Sequence, residues 1–361
     1  MKYFLKKNCI WLSICLVITL TTFALLFIKT DYDITTPAMI TPINDYIKVE
    51  GSDDIKPDIN SVSIYGFERA SLLNYLFSKV NPFSSESKLP DYIDTSDDYI
   101  SEQGKWHREL SINNAIVSAY QEAGYEVNVN FIGYIVTTVY LGTTADIKIG
   151  DIITEVEGEK LSADYSFTEA VRKYYQQGFE KISCELTRSG KKRIATITFF
   201  EIYSEKDQKN VITHGINAEN YSSYTVLSED APDHSKDHGN SIGPSGGLMQ
   251  ALYIYEKLTG GKLTNNLKIA GTGAIDLYGN AGLIGGIEQK IYTADACNVD
   301  IFFVPVDKSY SKEEDIYSNW NDAKKAYELL TLIGRTNMKI VPVSSLSDII
   351  EYLEGLEWLY L

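Results

Sequence analysis

Cysteine is scarce in this chain of 361 residues, and its four copies form no CxxC pair and no other metal-ligand spacing. That excludes zinc ribbons and disulfide frameworks. Cys9 and Cys15 fall at or within the first hydrophobic segment, Cys184 in a strand-like run and Cys297 in a helical pattern, so buried free thiols are expected of the last two. Positive charge is also short, with 33 basic against 49 acidic residues and a net charge of −16. The balance argues against a nucleic-acid partner or an anionic membrane surface. No Gly-x4-Gly-Lys-[Ser/Thr] occurs: Gly260-Gly261-Lys262-Leu263 fails both the spacing and the final hydroxyl residue. A P-loop ATPase, and with it ATP, is excluded on that ground. No cofactor or metal is called for by any motif.

Long hydrophobic runs are limited to one. Ile10 to Ile28 carries no charge and is long enough to span a bilayer as a helix. Lys2, Lys6 and Lys7 precede it, while Asp31 and Asp33 follow Lys29. The asymmetry puts the N-terminus in the cytoplasm and the bulk of the chain outside. A cleaved signal peptide would give the same topology, but no small-x-small site follows Leu26, which favours a retained anchor.

The length leaves room for two or three domains. After the tip and anchor (1–30), the region 31–128 reads as a strand at Ser61–Tyr65, an amphipathic helix at Ala70–Val80, a polar loop from Asn81 to Gly104 and a helix from Glu109 to Ala123. It carries no chemistry, and His107 reads as a surface residue. From 129 to 200 the pattern turns to short strands around a helix, Ser166 to Gln176. From 201 to 361 strand and helix alternate, as an α/β layer requires: strands at Val211–Ile216, Tyr224–Leu227, Asp300–Pro305 and Lys339–Val343, helices at Asp322–Ile333 and Leu346–Leu353. The 26 tyrosines are scattered, without a stacking pattern.

Chemistry concentrates between Gly243 and Lys290. In Gly243-Pro244-Ser245-Gly246-Gly247 a serine sits among residues lacking a Cβ, which lets a substrate approach its hydroxyl closely. Leu248, Met249, Leu252, Tyr253 and Tyr255 then recur at helical spacing, placing Ser245 at a helix N-terminus. Two readings share that geometry. Ser245 is an N-cap, or it is a nucleophile whose oxyanion would be held by the free N–H groups. Lys290, which heads a helical segment after Gly285-Gly286, is either a solvated lysine or a buried amine whose lowered pKa lets it act as a base. His234 and His238, beside Asp233 and Asp237, allow a Ser-His-Asp triad or a metal site, yet they lie in a loop with the character of a solvated turn and lack a helical HExxH context.

Three blocks together resemble the proteolytic domain of the Lon family of Ser-Lys peptidases: Gly243-Pro244-Ser245-Gly246-Gly247-Leu248, Ala270 to Gly279, and Ile284-Gly285-Gly286-Ile287-Glu288-Gln289-Lys290. Their order and spacing fit, with Lys290 45 positions after the serine. The resemblance covers about residues 205–355. It implies Ser245 as nucleophile, Lys290 as general base and Thr272 as the hydroxyl that orients the amine, with Gly243 and Gly246 in support. Ile242 and Ala274 depart from the family, which often carries an aspartate and a glutamate there. Homo-oligomeric assembly is a further implication. Residues 129–200 resemble a PDZ domain of the protease-associated kind, through Ile149-Gly150-Asp151-Ile152-Ile153 and the Glu157-Gly158 turn. That likeness implies a peptide carboxylate-binding turn near Phe131, at Ile132, Gly133 and Tyr134; the plainer alternative is a β module that only packs against its neighbour.

The expected fold class is α+β: a transmembrane helix, a small β-rich PDZ-like domain and an α/β-layered Lon-type proteolytic domain. The expected function is that of an ATP-independent, membrane-anchored serine endopeptidase cutting exported peptides or membrane-proximal proteins. A catalytically silent, PDZ-type peptide-binding adaptor at the membrane is the alternative, and a cytoplasmic-side scaffold a third reading.

Overall fold

The computed structural model describes residues 2–52, 54–88, 90–204, 208–236, 243–307 and 319–357. They form a mixed α+β structure built on two sheets, preceded by one apolar helix. That helix, Lys2–Phe27, is the one element among the described residues long and apolar enough to cross a membrane, over Ile10–Phe27, and none of that stretch is buried.

The first sheet has six strands in the order Lys339–Val343, Ile301–Pro305, Ile269–Gly271, Ile59–Phe67, Tyr32–Pro42, Ser85–Lys88. The first four run parallel, and Tyr32–Pro42 lies antiparallel to both its neighbours. Every residue of Ile301–Pro305 is buried, as a central parallel strand covered on both faces must be. Successive side chains of a strand point to opposite faces. Accordingly Ile301 and Phe303 pack with helices Asp97–Glu122, Gly247–Thr259 and Leu346–Glu357, while Phe302 and Val304 pack with Ile287–Ala296 and Asn319–Leu332.

Three of these strands lie before residue 90. Ile59, Asn60 and Ser61 pair directly with Ile269, Ala270 and Gly271. The region 31–128 therefore shares one sheet with the C-terminal part, and the second sheet is inserted between them.

That second sheet runs Ile216–Val226, Val127–Val139, Ile152–Val156, Lys181–Arg188, Lys191–Thr198, antiparallel throughout. Helix Phe167–Gln176 closes its core with Phe167, Ala170, Val171 and Tyr174. A capping box between Ser166 and Glu169 fixes where the helix starts. The turn before Ile152 is pinned by Arg188, whose Nε and Nη2 each donate to a carboxylate oxygen of buried Asp151 at 2.7 Å.

Several boundaries differ from those read in the sequence. Ile216–Val226 pairs along its length with Val127–Val139, so the inserted module extends well past residue 200. Phe200–Ser204 and Lys209–Thr213 form a separate hairpin. Within the stretch read as a loop, Ser85–Lys88 pairs with Tyr32–Thr35, and the long helix begins at Asp97 rather than Glu109. The front of that helix faces the module instead of the main core: Gln103 Nε2 donates to Thr137 O and Thr138 Oγ1. It therefore lacks the apolar stripe that marks its second half. The helix expected over Ala70–Val80 is confined to Leu72–Ser78.

Candidate active site

Backbone constraints shape the serine loop first. Gly243 is extended, Pro244–Gly246 makes one 3-10 turn, and Gly247 opens the helix to Thr259. Proline at the head of such a turn forfeits no hydrogen bond, because that N–H has no helical acceptor. Gly246 caps the helix, and no side chain caps either the turn or the helix. Ser245 is therefore not an N-cap. A Cβ at Gly247 would stand 2.8 Å from both Ile275 Cγ2 and Ser111 Oγ, so glycine is needed for the loop to lie this close to its neighbours.

Ser245 is tied down through its backbone, which frees its hydroxyl. Its carbonyl accepts from Gly273 N–H at 2.8 Å and from Thr272 Oγ1 at 3.0 Å, and Leu248 N–H donates back to Gly273 O at 3.0 Å. Thr272 N–H donates to Phe303 O, binding this cross-link to a central strand.

Lys290 arrives from the other helix layer. Gly286, with φ of 67°, precedes helix Ile287–Ala296 in the left-handed region that glycine favours, and a Cβ there would meet Ile64 Cδ1 at 2.7 Å. One turn on, Lys290 is 2 % exposed. Its Nζ lies 2.9 Å from Ser245 Oγ and 3.0 Å from Thr272 Oγ1. Burial lowers its pKa from 10.5 to about 7. Ser245 itself is half-buried.

These distances define a directed circuit. The Thr272 hydroxyl donates to the Ser245 carbonyl, so its oxygen is left to accept from Lys290. With one N–H of the neutral amine committed to Thr272, the nitrogen lone pair can take the proton of Ser245 Oγ. Sequence reasoning selected Ser245, Lys290, Thr272, Gly243 and Gly246, and the structure brings all five to one place.

Helix Asp97–Glu122 carries supports that sequence reasoning missed. Ser111 Oγ donates to Pro244 O at 3.1 Å, beside the serine, and Asn114 Nδ2 donates to Ile275 O at 2.9 Å. The available signal was a face of small residues, Ser111, Ala115, Ser118 and Ala119, all buried, which lets this helix approach the serine helix closely. Ser111→Ala is expected to lower activity about three- to tenfold, by roughly 1 kcal/mol, mainly in kcat. Steady-state kinetics check this, and an unchanged kcat would deny Ser111 any part in setting the loop.

The remaining candidates lie elsewhere. Ile132, Gly133 and Tyr134 occupy no turn: they sit inside strand Val127–Val139, where Gly133 and Tyr134 face Tyr221 and Asn220 on one side and Tyr134 faces Ile153 on the other. Tyr134 is buried, and a Cβ at Gly133 would lie 2.8 Å from Ile153 O. The segment is strand rather than the turn that the PDZ likeness implies. His234 Nε2 shares a hydrogen bond with Tyr224 Oη at 3.0 Å, its ring stacks on Tyr224, and its strand pairs with Ile47–Val49. His238, Asp237 and Ile242 lie outside the described residues. His107 is partly buried, with Nε2 3.4 Å from Glu219. Cys184 is buried and Cys297 half-buried, both free.

No protein-family model matches the chain, and no curated protein matches it. Among solved structures, the PDZ domain of an SdrC-like protein from Listeria monocytogenes is similar over 24 % of this chain and 86 % of that one, at 19 % identity and a TM-score of 0.18.

Proposed function

We propose that the chain is an ATP-independent, membrane-anchored serine endopeptidase working through a Ser245–Lys290 dyad. The observation that carries this reading is the buried Lys290 amine, 2.9 Å from a half-buried serine hydroxyl and oriented by Thr272. The motif resemblance to the Lon proteolytic domain supports it independently. In the proposed mechanism Ser245 Oγ attacks the scissile carbonyl as its proton passes to Lys290 Nζ. Backbone N–H groups around Ser245 stabilise the oxyanion, other than those of Gly247 and Leu248, which already donate to Pro244 O and Gly273 O, and Lys290 returns the proton to the leaving amine. Water then attacks the acyl-enzyme, with the lysine again the base.

The substrates proposed are exported peptides or membrane-proximal proteins, taken as unfolded or loop segments, since these 361 residues carry no P-loop ATPase motif. The charge asymmetry around Ile10–Phe27 supports an extracytoplasmic location for the body. Peptide addition to the inserted module could use an outer strand, Ile216–Val226 or Lys191–Thr198. A fluorophosphonate or peptidyl boronate probe tests the proposal. Labelling is expected at Ser245 and to be lost in Lys290→Met; a chain that takes no label under conditions that label a control serine peptidase would be a peptide-binding adaptor.

A further inference from the structure

The short helix Leu72–Ser78 belongs to no core. Leu72, Leu73, Leu76 and Phe77 make up most of it, yet none of its residues is buried. Leu76 is 49 %, Phe77 62 % and Val80, just past its end, 77 % exposed. Leu76 and Val80 are one turn apart with Phe77 beside them, so the three make one contiguous apolar patch. Protein packing leaves this patch unexplained.

The chain itself fixes where the patch lies. Leu72 N–H donates to Ile28 O at 2.7 Å, Thr30 N–H donates to Ala70 O at 2.9 Å, and Lys29 bridges to Ser71. The helix is thus stitched to the residues that end the apolar span, and it lies against the span helix. No linker intervenes: strand Tyr32–Pro42 begins five residues after Phe27, a reach of at most about 17 Å. Lys79 at the patch is already paired with Glu86, and the protein carries a net charge of −16, so attraction to anionic headgroups is not what the patch offers.

We propose that Leu76, Phe77 and Val80 form an interfacial foot, inserted at the headgroup–acyl boundary of the bilayer that Ile10–Phe27 spans, and that this foot seats the body on the lipid surface. The proposal rests on the reading of Ile10–Phe27 as a membrane span.

The test uses the full chain in phosphatidylcholine nanodiscs, with Cys9 and Cys15 replaced by serine and Cys184 and Cys297 by alanine. A single environment-sensitive fluorophore is placed in turn at Phe77→Cys, at Val17→Cys within the span and at Leu141→Cys on the inserted module. Nitroxide lipids labelled near the headgroup should remove most of the emission at 77, lipids labelled deep in the chain most of that at 17, and neither should affect 141. If position 77 behaves like 141 while 17 is quenched, the span holds and the foot is overturned. If position 17 also escapes quenching, the span reading falls and takes the foot with it.

Discussion

Ser245→Ala and Lys290→Met are each expected to reduce cleavage of an unfolded substrate such as casein by at least about a thousandfold in kcat/KM, because nucleophile and base act as one unit. Circular dichroism of both variants should match the parent, since neither residue caps a helix. The pH profile adds a check of a different kind. Activity of the parent should rise as Lys290 loses its proton, with a midpoint near the lowered pKa of about 7. An ordinary lysine would place that midpoint near 10.4. If either variant cleaves at the parental rate, the dyad is wrong. If the midpoint lies above pH 9, the amine is not held neutral in the way its burial implies.

Lys290→Met should also stabilise the protein. Holding the amine in a site that lowers its pKa from 10.5 to about 7 has a cost that depends on pH. Below about pH 7 both folded and unfolded chains carry the proton, and the full penalty of a buried ammonium applies. Between about 7 and 10.5 the unfolded chain binds a proton that the folded chain does not, so stability rises with pH across that window. Above 10.5 the penalty is gone. At about 1.4 kcal/mol per pH unit, the term amounts to at most about 5 kcal/mol. The methionine variant, which has no charge to bury, should therefore gain most over the parent at pH 6.5 and little at pH 10.5. Urea denaturation in detergent at the two pH values measures the difference. Equal midpoints at pH 6.5 would mean that water reaches the amine.

The cluster of Ser245, Thr272 and Lys290 is readable in the sequence because its geometry is encoded locally. Each of Ser245, Thr272 and Lys290 sits in a block whose glycines serve its own turn, so the blocks can be recognised one at a time. The supports from helix Asp97–Glu122 were not readable. Ser111 and the Pro244 carbonyl lie 133 residues apart, and a polar contact at that separation leaves no periodic trace. Strand Ile216–Val226 shows only its ends in the sequence, in readings at Val211–Ile216 and Tyr224–Leu227, for a related reason. It is an outer strand rich in Asn, Ser and Glu, and such a strand shows none of the continuous apolar run that marks Ile301–Pro305. The PDZ likeness implies a turn at Ile132–Tyr134, but these residues lie inside strand Val127–Val139, because a motif likeness does not fix where a strand begins.

The sheet that holds the dyad also sets a timetable. Asn60 donates to the Ile269 carbonyl, 209 residues further along, and Thr272 leans on Phe303 later still. A ribosome releases the early strands long before their partners exist, and non-local pairings of this kind must wait for the chain to supply both halves. The Ser245 hydroxyl and the Lys290 amine are therefore held together only after strand Ile301–Pro305 has been made, so the proposed dyad would stay unassembled on the shorter nascent chain.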